Sequence, residues 1–414
     1  MHEVSAIVGV LLATVAAVYA LLTMAVTALH RRPRPAFPGA AEAAAPVSVL
    51  KALCGAEPGL YGQLRSFCRQ NYPTFQLVFG VRESDDPALP IVRRLQSEYP
   101  RLDIAVVVDA TLHGCNNKIS NLINMLPHAR HGWLVMADSD ISVPPDYLAR
   151  VTAPLANDRV GLVTCAYFGR PACESGGALE PPGEPGGGTE TPASRRATAP
   201  PLPRAAPLAS QLGAQFINEW FMPSVLLAAA FGARNFVSGA TIAMRAEVLA
   251  SIGGLQRLAD LLADDYRLGE LVRRHGLAVH LSELAVETTT SEVNLGALCR
   301  HELRWLRTIQ SSQPLGYACC FPSFSLAMAL LAVVIARAEA TTLWLLGITA
   351  LARIVLHYFA TSGGAWQRTR RLALLPLREA LLVALWVWSF RRREIVWREQ
   401  RYGIGQDGTL YRVS

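Results

Sequence analysis

From Pro46 to about residue 290, short apolar runs alternate with stretches at helical spacing, and long uninterrupted apolar blocks flank that region on both sides. Val47-Ser48-Val49-Leu50 opens the series, and Leu60 to Cys68 follows with a helical period. Phe75 to Val81 reads as a strand, 88–98 as a helix, Ile104 to Val108 as a strand, 119–127 as a helix, and Trp133 to Ala137 as a strand. Strands alternating with helices predict an α/β domain built on a mostly parallel sheet with helices on both faces. In such sheets ligands gather at the carboxyl ends of the strands.

The flanking blocks read as membrane segments. Val4 to Leu29 is an uncharged run of 26 residues, enough to cross a hydrocarbon core of about 30 Å. No basic stretch precedes it and no Ala-x-Ala-like exit follows, so a retained anchor is expected rather than a cleaved signal. His30-Arg31-Arg32-Pro33-Arg34 comes next, which orients that end toward the cytoplasm. Beyond 315, Ser323–Ile335 and Thr342–Phe359 read as two spans separated by Arg337 and Glu339. Leu372–Phe390 has arginines at both ends and is interrupted by Pro376 and the pair Arg378-Glu379. It predicts a re-entrant or interfacial hairpin, and two crossings return the C-terminus to the catalytic side. The expected division is an anchor (1–30), a linker (31–45), a cytoplasmic catalytic domain (46–315), membrane segments (316–394) and a cytoplasmic tail (395–414). Within the domain, 171–207 is rich in Gly, Pro, Ala and Ser. It reads as a surface insertion, with a substrate-closing flap as the second reading.

A mean hydropathy of +0.25 with only 17% charged residues agrees with a membrane-associated chain. The net charge of +7 comes largely from arginines beside the apolar segments. Anionic lipid headgroups therefore suit it better than nucleic acid, for which no zinc-finger or RNA-binding signature is present. The eight cysteines include no Cys-x-x-Cys pair and are expected as reduced thiols. Nothing in the sequence addresses oligomeric state.

Five acidic or basic groupings, and one small-residue turn, carry candidate chemistry. Asp138-Ser139-Asp140 ends an apolar strand, where two carboxylates at i and i+2 converge on one hard cation, Mg2+ or Mn2+, that clamps a diphosphate. In isolation Asp-x-Asp is equally a capping or turn signal. Asp264-Asp265 opens a helical run and reads either as its N-cap or, at Asp265, as a general base toward an acceptor hydroxyl. Asp86, after the strand 75–81, reads as an acidic turn or a nucleotide contact. Asn117 and Lys118 offer an amide and a cation to a phosphate. Ser238-Gly239-Ala240-Thr241 is a small-residue turn that lets a sugar approach the backbone. Arg304 and Trp305, within His301-Glu302-Leu303-Arg304-Trp305, suit an interfacial helix or a diphosphate and substrate contact.

Taken together, Asp86, Asp138 with Asp140, Asp265 and Arg304-Trp305 resemble the ordered motifs of the ceramide glucosyltransferase family, from about Pro46 to 313 and again at Trp397 to Tyr402. His301 departs from the Gln or Arg usual at that place, and 171–207 is an insertion. Pro46 to Lys51, Leu53 to Tyr61, Asn121 to Met125, Phe216 to Phe221 and His301 to Trp305 are similar to a bacterial branch, the hopanoid-biosynthesis glycosyltransferases. The resemblance implies a GT-A nucleotide-sugar domain between N- and C-terminal transmembrane helices. It further implies a bacterial inner-membrane location with the catalytic domain facing the cytoplasm, a UDP-N-acetylglucosamine donor and the terminal hydroxyl of bacteriohopanetetrol as acceptor. UDP-glucose transfer to ceramide or another lipid is the alternative. A processive polysaccharide synthase or a non-catalytic membrane scaffold is a more distant one.

Overall fold

The computed structural model describes residues 2–32, 45–172, 206–233, 236–391, 393–397 and 400–413. Most of the expected linker 31–45 and insertion 171–207 lies outside these residues, as do Arg398 and Glu399 of the tail motif. Eight strands form the central sheet: β1 (Val47–Ala52), β2 (Phe75–Val81), β3 (Asp103–Val108), β4 (Trp133–Ala137), β5 (Ile141–Ser142), β6 (Val160–Pro171), β7 (Thr241–Arg245) and β8 (Ala278–Thr290). Their order is β3-β2-β1-β4-β7-β6-β8-β5. The first four run parallel. β7 reverses against β4 and β6, β6 pairs in parallel with β8, and β5 reverses against β8.

The helices, in chain order, are α1 (His2–His30), α2 (Leu60–Cys68), α3 (Ala88–Glu98), α4 (Asn117–Met125), α5 (Tyr147–Thr152), α6 (Leu208–Phe216), α7 (Met222–Ala230), α8 (Ala246–Ser251), α9 (Asp264–Arg274), α10 (Leu295–Ser312), α11 (Pro314–Ala318), α12 (Ser325–Ile335), α13 (Ala340–Ala360), α14 (Ala365–Leu372) and α15 (Leu375–Ser389). Helices α2, α3 and α4 lie between successive parallel strands, as parallel pairing demands a long crossover. Alternation within β1 shows why the sheet is covered twice. Val47 and Val49 pack with Leu64, Phe67 and Val92, whereas Leu50 packs with Ile119, Leu122 and Val272 on the other face. Capping fixes the helix starts that matter for the site. Asn116 Oδ1 accepts from Ile119 N at 3.1 Å, and Asn294 Oδ1 from Ala297 N at 2.9 Å, each satisfying an otherwise orphaned donor.

Two helices are long and apolar enough to cross a membrane, near the N-terminus and at Ala340–Ala360. Their large side chains face outward, with Ile7 and Leu11 at 61% and Trp344 at 76% exposure, a surface suited to lipid rather than water. α1 packs along α12 and α13. Gly9 makes the contact close: a Cβ there would fall 2.6 Å from Ala336 Cβ, the small-residue packing that apolar helix pairs use. The expected first span, Ser323–Ile335, is corrected by length. α12 has 11 residues, about 16 Å at helical rise, too short to cross alone. The stretch 365–389 folds as two helices bent by 50°. Arg378 and Glu379 are buried there, not interfacial. Arg378 pairs with Glu302 at 2.6 Å and Glu379 with Arg353 at 2.9 Å.

Residues set apart in sequence as a tail are integrated into the domain. β9 (Glu394–Trp397), β10 (Gln400–Ile404) and β11 (Leu410–Arg412) form an antiparallel sheet. Ile395, Tyr402, Ile404 and Leu410 bury against Leu262, and Leu410 N donates to Asp260 O at 2.6 Å. The sheet therefore presses on the segment leading into Asp264-Asp265.

Candidate active site

At the carboxyl ends of β1 and β4 the chain leaves a cavity of about 940 Å³, where an α/β sheet places its ligands. All eight residues singled out from the sequence, Asp86, Asn117, Lys118, Asp138, Asp140, Asp265, Arg304 and Trp305, line it. They come from five different segments, so only the fold brings them together.

Asp138 and Asp140 follow β4 directly. Lys118 Nζ sits 2.5 Å from Asp138 Oδ1, and this carboxylate, with Asp264 and Asp265 beyond it, holds the half-buried ammonium charged and its pKa raised against the cost of desolvation. Asp140 Oδ2 accepts from Thr288 Oγ1 at 2.7 Å. Burial, then the Asp138 charge, pushes Asp140 up to about 6. Asn117 Oδ1 is buried without a hydrogen-bond partner, an acceptor left for a ligand. Asp86 has both oxygens engaged by the backbone, from Gly55 N at 3.0 and 3.1 Å and from Ala88 N at 2.8 Å. It rims the cavity while bracing the turn before α3.

Asp264 and Asp265 stand in the first turn of α9, where the helix dipole favours negative charge. Neither serves as its N-cap, which is Ala263. Burial first, and the Asp264 charge second, push Asp265 up to about 7, with Lys118 opposing. Its Oδ1 accepts from Tyr266 N at 2.7 Å. Its Oδ2 faces Gly239, where a Cβ would come within 3.1 Å. The expected small-residue turn thus lies against the base candidate.

The far wall is aromatic. Trp305 stands 5.6 Å from Phe221, 5.7 Å from Phe216 and 6.2 Å from Tyr167, centroid to centroid. Phe221 ends a π-helical turn, Ile217–Phe221, a rare element that re-aims side chains and concentrates at functional places. The Arg304 guanidinium lies 5.3 Å from the Trp397 ring centroid, so the C-terminal sheet helps position it.

Lys51 was not singled out from the sequence, and its signal is a lone cation ending an apolar strand. It is fully buried, donates to Asp138 O at 2.6 Å and sits 3.6 Å from the Phe67 ring centroid. Burial lowers its pKa to about 7, against the pull of Asp138 and Asp140. Its backbone bond fixes the loop on which both aspartates stand. Lys51→Met should raise the donor KM about tenfold, one charge-assisted hydrogen bond's worth, with far-UV circular dichroism unchanged.

Among the described residues no three His, Cys, Asp or Glu side chains converge as a metal cage. The donor set still suits a hard divalent ion. Asp138 and Asp140 supply two carboxylates that would hold such an ion beside a bound diphosphate.

The sequence profile of glycosyl transferase family 21 matches residues 8–181 and 198–410. The chain belongs to this family. This glycosyltransferase is related to ceramide glucosyltransferases. Ceramide glucosyltransferase 1 of Caenorhabditis elegans is 30% identical over 139 residues, 33% of this chain and 28% of that protein. Ceramide glucosyltransferase 3 of the same organism is 24% identical over 267 residues, 63% and 50% respectively. The chain thus spans half or less of the length of these relatives. Among solved structures, a mannosyltransferase from Pyrobaculum calidifontis in complex with GDP-Man and Mn2+ is similar with a TM-score of 0.47 at 17% identity, covering 92% of this chain and 99% of that one. The glycosyltransferase's own sheet is largely parallel and flanked by helices.

Proposed function

We propose that this family 21 enzyme transfers N-acetylglucosamine from UDP-N-acetylglucosamine to the terminal hydroxyl of bacteriohopanetetrol, in a single inverting displacement at the cytoplasmic face of a bacterial inner membrane. The observation that carries the transfer chemistry is the half-buried Asp265 carboxylate, facing the same cavity as the Asp138/Asp140 pair and the aromatic wall. The sugar and acceptor rest on similarity to the hopanoid branch. A second reading, UDP-glucose to ceramide, is favoured by the ceramide glucosyltransferase relatives.

In this mechanism Asp265 takes the proton from the acceptor hydroxyl as its oxygen attacks the anomeric carbon. The bond from that carbon to the diphosphate breaks, and its electron pair leaves with the β-phosphate oxygen. Lys118 and Arg304 offset the growing charge, and Asn117 hydrogen-bonds the nucleotide. A divalent ion bound by Asp138 and Asp140 would supply Lewis-acid neutralisation of the diphosphate. An α-linked donor gives a β-linked glycolipid.

The purified protein, offered UDP-sugars and lipid acceptors in a matrix, should yield glucosaminyl-bacteriohopanetetrol by mass spectrometry. Exclusive formation of glucosylceramide would instead establish the second reading. Because the base works deprotonated and Asp265 sits at about 7, kcat/KM should climb with pH through about 7 and level off above it. A profile flat from pH 5 upward would remove Asp265 from that role.

A further inference from the structure

We propose that Glu292 and His301 form a second hydroxyl-recognition site, which binds the hydroxyl neighbouring the reacting one on a polyol or diol acceptor headgroup. The inference rests on the lipid-acceptor reading above. His301 stands in α10, one turn before the Arg304-Trp305 pair, and lines the same cavity. Its Nδ1 lies 2.6 Å from Glu292 Oε1, in the connection between β8 and α10. The Glu292 side chain is only 9% exposed, whereas that of His301 is 38% exposed.

This pairing has a chemical consequence. A carboxylate accepts hydrogen bonds, so Nδ1 donates to Glu292 and the neutral form of the imidazole carries its lone pair on Nε2. Glu292 thereby sets both tautomer and ring orientation, as carboxylate partners do for functional histidines. Nε2 makes no hydrogen bond to the described residues, which leaves an acceptor ready for an incoming O–H. The surroundings suit a carbon chain bearing hydroxyls. The His301 ring meets Trp305 edge-on at 5.0 Å, and Trp305 continues into Phe216, Phe221 and Tyr167. C–H groups pack on that surface while one hydroxyl reaches Nε2. Gly213 of α6 leaves the space that Glu292 occupies, since a Cβ there would lie 2.9 Å from its Oε2.

Asp265 acts from the strand-end side, against Gly239 and Lys118, and His301 from α10. A headgroup held at both points presents one hydroxyl to the base and its neighbour to the imidazole. His301 is thus a specificity-determining residue, and Glu292 a positioning residue acting through it.

The test deletes the same contact from either partner. Wild type, His301→Ala, His301→Gln and Glu292→Gln are assayed in detergent with bacteriohopanetetrol and its analogue lacking the hydroxyl beside the terminal one. Ceramide and an analogue lacking its second hydroxyl form a parallel pair. Wild type should favour the complete acceptor about tenfold in kcat/KM, the worth of one good hydrogen bond. His301→Ala should lose that preference, and His301→Gln, whose amide oxygen still accepts, should keep part of it. Glu292→Gln, which frees the tautomer, should weaken it about threefold. Donor KM should stay unchanged throughout. Full discrimination persisting in His301→Ala, or a raised donor KM there, overturns this inference alone. Failure of wild type to glycosylate any of the four acceptors overturns the lipid-acceptor reading and this inference with it.

Discussion

Asp265→Asn is expected to lower kcat by about a thousandfold or more, within the range for removing a general base, while UDP-sugar affinity stays within a few-fold of wild type. The amide keeps the shape of the carboxylate and its bond from Tyr266 N, so the first turn of α9 is undisturbed. What it loses is basicity. Burial and the adjacent Asp264 bring Asp265 to about 7, which matches proton affinity to the working pH better than an ordinary carboxylate does. Lys118 prevents a further rise, since its charge favours the ionised form. UDP release in single-turnover assays, alongside calorimetric titration with UDP-sugar, separates chemistry from binding. Asp264→Asn is the paired control. Wild-type turnover in Asp265→Asn would move the base elsewhere, and Asp264 would be the first candidate.

Arg378→Met is expected to cost about 3–5 kcal/mol in stability, the penalty for stranding one partner of a buried pair. Arg378 and Glu302 are 2% and 3% exposed, and their two hydrogen bonds measure 2.6 and 2.7 Å. Removing the guanidinium leaves Glu302 ionised in an apolar setting between α10 and α15. Replacing both partners, as in Glu302→Leu with Arg378→Met, should recover most of the loss, because the desolvation of two charges disappears together. Thermal unfolding in detergent reads the first effect and the double variant reads the second. Activity should follow stability, since Glu302 shares α10 with His301, Arg304 and Trp305. A single variant that melts with wild type would show that this pair contributes nothing to holding the catalytic helix.

Much of the domain was legible because its elements are short, strongly periodic and closed by clear signals. Leu60–Cys68, Phe75–Val81, Ala88–Glu98 and Trp133–Ala137 occupy the positions their apolar spacing predicts. The convergence of Asp86, Asp138, Asp140, Asp265, Arg304 and Trp305 was legible through their order along the chain, which matches a known set of motifs, whereas Asn117 and Lys118 were read from their chemistry alone. What escaped were contacts set by tertiary packing. A lysine ending an apolar strand does not announce that its ammonium will reach the carbonyl of Asp138, 87 residues on. Arg378-Glu379 looked like an interruption of an apolar stretch because local pattern cannot reveal Glu302 and Arg353 waiting across the interface. The C-terminal strands carry too little apolar periodicity to declare that they cover Leu262. Hydropathy alone also overstated Ser323–Ile335, since it measures apolarity and not the length of the helix that forms.

Tyr19 Oη lies 2.7 Å from Ser224 Oγ, eleven residues before the basic end of α1. At helical rise that is about 16 Å along the helix, near the middle of a hydrocarbon layer when α1 spans it. On the proposed membrane reading, the turn carrying Trp220 and Phe221 lies at the depth of acyl chains, and the aromatic wall of the cavity continues from it. For the proposed lipid acceptor, that wall offers an apolar path by which its tail stays in the layer while its headgroup reaches the cavity. On that reading sliding sideways replaces extraction, and the cost that would otherwise fall on each turnover is met once, when the chain folds.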